Sequence, residues 1–488
     1  MHIFSAIAFT VLTLAHAGAS ADVENTQNKG SIITVPMLRN PKGYMGTLRS
    51  SIGKLDRRQN AEQLYNAAGR EYLVEIEVGT PPQKFNVTLD TGSSTLWIPT
   101  MDCPTIYCPF TRFDPKASSS YKATSFTFDI QYGIGDVIGS YATETVAMGG
   151  LTVRNQMVGL ANQTADLLSS SAEDGSNGIM GLAFPGLNQA GGIPQDVPWV
   201  FNLVNQSVIS EPVFSIYLNS RFSMGYSGEI TFGGTDSTKY TGQLKYMPVL
   251  TYSIPNANLD NVYLYWTVGG VGLSTSTGIN LPFDTLQEFI LDTGTTLTYV
   301  PTQIADNIVM SLTHNSSSTR YDSTNGIYWV DCNLASSTDV LEFHVATSLA
   351  SASAATQNTQ NITVPVRQLV LPYDATTPEQ AMVCWFGIAP MPSSMSLRVG
   401  SVNWVLGESV LRPLYMVHDM GQGRVGVAPA VFTETSSGSS SSSGAGSSNG
   451  GKPSQAGENS TSGAESYFVH FKTSVLFAAL LCTALSLS

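Results

Sequence analysis

One tripeptide occurs twice in this chain in matched surroundings, and no other feature constrains the fold as tightly. Phe85 to Pro99 reads FNVTLDTGSSTLWIP, and Glu288 to Pro301 reads EFILDTGTTLTYVP. Each copy runs an apolar strand into Asp-Thr-Gly, then small hydroxyl residues, then a second apolar strand. The aspartates, Asp90 and Asp292, lie 202 residues apart (292 − 90). A buried strand that ends in a tight turn holds a carboxylate at a fixed point. Gly92 and Gly294 suit turns where a Cβ would crowd. A lone Asp-Thr-Gly is ordinary turn chemistry. Two copies with matching flanks imply two similar lobes that bring the aspartates face to face.

Two carboxylates within hydrogen-bonding distance do not both ionise at low cost. One pKa rises, the pair shares a proton, and apparent pKa values belong to the pair. The ionised partner takes a proton from water while the protonated partner polarises a carbonyl.

Further segments stand in order around these two. They are EYLVEIEVGTPPQ at Glu71 to Gln83, Tyr132-Gly133, NGIMGLAFP at Asn177 to Pro185 and WVLGESVLRPLYMVHD at Trp404 to Asp419. Together they resemble the pepsin-like aspartic proteases over roughly Glu71 to Ala430. That family is the standard example of a carboxylate pair sharing one proton. The resemblance implies an all-β, bilobal fold with the active-site cleft between two β-rich lobes. It implies Asp90 and Asp292 as the catalytic pair, holding a lytic water without an acyl-enzyme and without metal or organic cofactor. Thr91, Gly92, Thr293 and Gly294 would position the carboxylates, with Ser93 and Thr295 on their outer oxygens. Tyr132, Gly133 and Ile134 look like the tip of a flap hairpin, and Trp97 like the partner of the flap tyrosine. An apolar Ile134 favours a hydrophobic P1 residue, and Asp136 keeps a basic P1 open. Glu408 stands where relatives usually carry aspartate, and Asn177 where an aspartate often precedes glycine. His418 stands where an aromatic is common and reads as a satisfied core histidine.

Composition agrees with this class. Charged residues make up 12% of 488, and strand-like alternation is frequent, which favours an all-β body. The net charge of −13 argues against nucleic-acid binding. Seven of the 23 Lys and Arg lie from Lys29 to Arg58, and only 14 lie from Gln59 to Phe432. A body with few cations has few ion pairs for acid to break, which fits work at low pH.

Met1 to Ala21 reads as a secretory signal peptide, with Ala17 or Ala21 as the last residue removed. Residues 22–58 read as a basic, poorly patterned propeptide, cleaved after the dibasic Arg57-Arg58. By resemblance such a segment covers the cleft, and Lys42 and Lys54 both fit the role of a lysine facing the aspartates. Residues 59–240 would form the N-terminal lobe and 241–432 the C-terminal lobe. Secretion favours disulfides. Of the pairings open to the four body cysteines, locality and resemblance favour Cys103–Cys108 with Cys332–Cys384. A Cys-X4-Cys metal site lacks further ligands nearby. Sequons stand at Asn86, Asn162, Asn205, Asn315, Asn361 and Asn459. Thr313 to Ser318 and Ala346 to Asn361 read as long surface loops, which favours Asn315 and Asn361 as acceptors.

Residues 433–462 are nearly all small and polar and read as a flexible stalk. Small residues at Ser462, a spacer and the apolar tail Ser474 to Leu487 read as a GPI-anchor signal, with 463–488 removed. Ser462 is the expected attachment residue and Asn459 the alternative. The whole resembles the yapsin-type fungal enzymes: a monomeric endopeptidase that leaves by the secretory pathway, stands at the membrane or cell wall, and acts on peptides and proteins. Two other classes compete. A silent peptide-binding relative would commonly have lost one aspartate. A wall glycoside hydrolase would hold its carboxyls about 5 Å or more apart.

Overall fold

The computed structural model describes residues 32–39, 72–132, 135–165, 167–168, 176–220, 226–349, 357–375, 377–392 and 403–432. The signal peptide, Lys42, Lys54, Arg58, Gly133, Ile134, the stalk, Asn459, Ser462 and the apolar tail lie outside them. All described residues fall in the unit Met1–Thr435.

Strands dominate, as the alternation in the sequence predicts. Tyr72–Val78 shows the physical reason. Tyr72, Val74, Ile76 and Val78 share one buried face, while Glu75 on the other face is exposed. The longest described helix is Thr302–Leu312, which buries Ala305, Ile308, Val309 and Leu312 at helical spacing. Among the described residues no helix is long and apolar enough to cross a membrane.

Among the described residues, thirteen strands form the largest sheet and seven form the next. Both halves of the chain feed the large sheet. Leu414–Asp419 and Arg424–Pro429, from the C-terminal end, form a hairpin that pairs with Val213–Leu218. The seven-stranded sheet carries Asn280–Leu291, Thr298–Val300 and Trp404–Leu406. The bilobal all-β architecture follows, with the Asp90 strand in the large sheet and the Asp292 strand in the other.

The leader departs from its poorly patterned reading. Ile33–Arg39 is a strand inside the large sheet, between Tyr226–Phe232 and Tyr72–Val78. Val35 and Met37 are buried while Thr34 and Pro36 are exposed. The alternation was there to read, but seven residues that include a proline carry a weak strand signal.

The disulfides are Cys103–Cys108 and Cys332–Cys384. Asn361 is not in a loop: it lies on the strand Thr359–Pro365, at the edge of the seven-stranded sheet. Asn86 is half-buried in the strand Gln83–Asp90. Asn162, Asn205, Asn315 and Asn361 are exposed.

His418 corrects its reading in part. It is fully buried, but neither ring nitrogen has a hydrogen-bond partner among the described residues. The sequence put an imidazole where an aromatic ring fits, and the site supplies aromatic faces instead of donors and acceptors.

Candidate active site

Asp90 ends the strand Gln83–Asp90, and Asp292 directly follows Asn280–Leu291. Each of these strands runs parallel to a short apolar strand from far along the chain. Leu89 pairs with Met180, and Ile290 pairs with Val405. The strand after each turn, Leu96–Pro99 or Thr298–Val300, pairs antiparallel with that same short strand. The NGIMG and WVLG segments are therefore the laces that hold each Asp-Thr-Gly turn open and fixed.

The two turns lock each other across the sequence. Thr91 Oγ1 donates to the Leu291 carbonyl at 2.8 Å, and Thr293 Oγ1 donates to the Leu89 carbonyl at 3.0 Å. Thr293 N–H donates to Thr91 Oγ1 at 2.9 Å, and Thr91 N–H to Thr293 Oγ1 at 3.3 Å. Both threonines are buried, so each hydroxyl's donor and acceptor capacity is used where water cannot replace it.

The carboxylates are held the same way on both sides. Gly92 N–H donates to Asp90 Oδ1 and Gly294 N–H to Asp292 Oδ1, each at 2.8 Å. Ser93 Oγ donates to Asp90 Oδ2, and Thr295 Oγ1 to Asp292 Oδ2 at 2.6 Å. Burial holds the Asp90 carboxyl well above the ordinary carboxylate range, the charge of Asp292 adds to this, and Ser93 opposes it.

Glycine is required in both turns because each turn touches the opposite carboxyl. A Cβ on Gly294 would lie 2.4 Å from Asp90 Oδ1, and one on Gly92 would lie 2.5 Å from Asp292 Cγ. Gly294→Ala must therefore push the pair apart. We expect kcat/KM to fall by about 100-fold or more, since ångström-scale misplacement costs that much. Steady-state kinetics on a peptide substrate check this, and a variant within threefold of wild type refutes it.

Lys122–Tyr132 and Gly135–Met148 form a hairpin whose register shifts between Ala123 and Thr127 and ends with Tyr132 opposite Gly135. Trp97 Nε1 donates to Tyr132 Oη at 2.9 Å. Trp97, Phe128, Ile130, Val137 and Leu167 make an apolar cluster against which Tyr132 packs. Asp136 is opposite Gln131, one step out of phase with the Ile130–Val137 pair, so it lies on the other face of the hairpin.

Sequence reasoning did not single out the supports behind the turns. Ser94 Oγ donates to Asn188 Oδ1 at 2.6 Å, and Thr95 Oγ1 donates to Asp196 Oδ2 at 2.7 Å. Trp266 Nε1 donates to the Leu182 carbonyl at 2.9 Å, and Leu182 N–H donates to the Asp90 carbonyl at 2.8 Å. These partners lie about a hundred residues apart or in segments without a motif. Among the described residues, no group of three His, Cys, Asp or Glu side chains is placed to hold a metal.

Comparison with known proteins agrees with the site. Residues 71–430 match the family model described as eukaryotic aspartyl protease. The chain is 32% identical to a probable vacuolar protease A of Trichophyton verrucosum, over 75% of this chain and 80% of the relative. It is 32% identical to pepsin A of Callithrix jacchus, over 75% and 83%. It is 31% identical to gastricsin of Mus musculus, over 74% and 81%. With paired Asp-Thr-Gly turns interlocked and a family match spanning both, the chain belongs to the eukaryotic aspartyl proteases and is an aspartic endopeptidase.

Proposed function

We propose that this protein is a secreted endopeptidase that cuts peptide bonds at acid pH through Asp90 and Asp292 and is held at the cell surface by a GPI anchor. The observation that carries the catalytic part is the contact between the two turns, which sets the carboxyls against each other. A pair so close shares one proton. The ionised member deprotonates a water, which attacks the scissile carbonyl carbon. The protonated member donates to the carbonyl oxygen, and the tetrahedral intermediate collapses as the amine leaves with a proton. Contact of this kind also argues against a glycoside hydrolase, whose pair must span about 5 Å or more.

The flap hairpin covers the substrate and excludes water, with Tyr132 held by Trp97. The apolar cluster beneath it, with Asp136 on the other face, favours a hydrophobic P1 residue. The leader 22–58 is a propeptide cut after Arg58. The lobes 59–240 and 241–432 act as a monomer on a stalk, and the chain is attached through Ser462 or Asn459. Support for the surface location comes from the apolar N-terminal run, the Ser/Gly-rich stalk and the apolar C-terminal tail.

The test is expression of the full chain in a secretory host, followed by two measurements. Peptide-library cleavage is scanned from pH 3 to 7, with and without pepstatin. Surface protein is then treated with phosphatidylinositol-specific phospholipase C. Pepstatin-sensitive cleavage with an acid optimum and release by the phospholipase are expected. Folded, processed protein that cleaves nothing overturns the catalytic reading. Active enzyme retained in the vacuole or resistant to release overturns the surface reading alone.

A further inference from the structure

His418 is a buried titratable group that the mechanism does not use. Its ring stacks on Phe214 at 4.5 Å between centroids with 4° between planes, and it meets Trp266 edge-on at 4.8 Å. Its neighbours in the sheet are Phe214 on Val213–Leu218 and Val425 on Arg424–Pro429. Neither ring nitrogen finds a partner among the described residues.

Trp266 makes this position matter. Its indole N–H holds the Leu182 carbonyl, and Leu182 N–H holds the Asp90 carbonyl. Its own carbonyl accepts from Leu291 N–H at 3.1 Å, one residue before Asp292. One tryptophan therefore ties the strand ends of both half-sites, and His418 packs against its ring.

We propose that His418 is an acid cutoff: its protonation breaks the aromatic box around Trp266 and unseats both catalytic strands, so the enzyme inactivates at the acid end of its range. A neutral imidazole fills the box as an aromatic ring does. Among the described residues, an imidazolium there has no carboxylate to pair with. The nearest charged residues on the neighbouring strands are Asp419 and Arg424. They are joined to each other at 2.8 Å, and Asp419 as the next residue points to the opposite face. The described residues of Val213–Leu218 and of the Trp266 segment present no charged side chain to the ring. Burial accordingly pushes the His418 pKa down from 6.5 to about 3.

The sign follows from linkage. The unfolded chain takes up this proton near pH 6.5, and the folded chain resists it until about pH 3. Stability from His418 is thus full above 6.5 and is lost progressively as pH falls toward 3.

The experiment compares His418 with His418→Phe in the full chain. Residual activity at pH 5 is measured after incubation at pH 2 to 6. Thermal midpoints are measured at pH 3.5 and 6.5 in an Asp292→Asn background, which removes self-digestion. The phenylalanine variant is expected to move the acid-inactivation midpoint down by about one pH unit or more. It should raise the thermal midpoint more at pH 3.5 than at 6.5 and leave kcat/KM at pH 5 unchanged. Equal thermal shifts at both pH values mean a packing effect only and overturn the proposal, as does an unmoved inactivation midpoint. A variant that fails to fold leaves a direct readout. In the wild-type protein with ring-labelled histidine, the His418 resonance should stay neutral down to pH 4, and titration near 6.5 overturns the proposal.

Discussion

Replacing Asp292 by asparagine is expected to lower kcat by about 10⁴-fold while leaving the fold intact. The amide keeps the shape of the side chain. The amide oxygen can still accept from Gly294 N–H where Asp292 Oδ1 now does, at 2.8 Å, and the amide NH2 takes the Oδ2 place, where the Thr295 hydroxyl, now donating at 2.6 Å, turns to accept from it. What disappears is the second ionisable group. An asparagine neither gives up a proton nor receives one, so Asp90 is left to serve as both acid and base within one turnover. Circular dichroism should match wild type, and single-turnover kinetics on a cleaved peptide should show the loss in the chemical step. Activity within tenfold of wild type would refute the assignment of the dyad.

The same substitution should stabilise the protein at neutral pH. Asp90 is held above its ordinary value by burial and then by Asp292. Between the ordinary carboxylate range and that raised value, the folded pair holds a proton that the unfolded chain has released. Stability therefore falls as pH rises through this window. Removing the like charge at 292 removes much of the strain. The thermal midpoint of Asp292→Asn should exceed wild type by more at pH 7 than at pH 3.5. His418 acts in the opposite sense, destabilising as pH falls. Between them the fold is squeezed from both sides, and an acid working range with a lower limit is the physical consequence.

The pattern that was legible in the sequence is the local one. Each Asp-Thr-Gly turn carries its own strand, hydroxyls and following strand within about fifteen residues, and each behaves as its letters imply. Cys103 and Cys108 pair as neighbours do. The illegible part depends on distance. Nothing near Ser94 marks Asn188 as its partner, and nothing near Leu182 marks Trp266. Asn361 looked like loop because serine and alanine surround the residues before it. Yet Thr359–Pro365 alternates against Val340–Ala346 once that strand is in place. Ile33–Arg39 alternates, but seven residues that include Pro36 do not say whether a gap in a sheet awaits them. Packing order is a property of the partner, and a single segment does not record it.

Arg412→Met is expected to destabilise the protein by about 3–5 kcal/mol, the largest stability loss of any single change considered. Arg412 is 1% exposed and Glu408, one helical turn earlier, is 2% exposed. Arg412 Nη2 donates to Glu408 Oε2 at 3.1 Å, and Nε donates to Tyr72 Oη at 3.0 Å. The guanidinium thus joins the segment behind Asp292, where Glu408 N–H holds the Thr295 carbonyl, to the first strand of the body. Its Nη1 has no partner among the described residues, so the pair is incompletely satisfied even in the native state. Methionine would take from the buried Glu408 carboxylate its arginine partner at 3.1 Å, and the loss of that buried ion pair sets the size of the effect. The double variant Glu408→Leu with Arg412→Met separates the two contributions. If the buried charge dominates, the double variant recovers most of the stability, because a hydrophobic pair of similar volume is often neutral or better. If the link to Tyr72 dominates, the double variant stays as weak as Arg412→Met alone. Denaturant midpoints of the wild type, the single variant and the double variant decide it, and an Arg412→Met protein as stable as wild type would show that the buried pair contributes nothing.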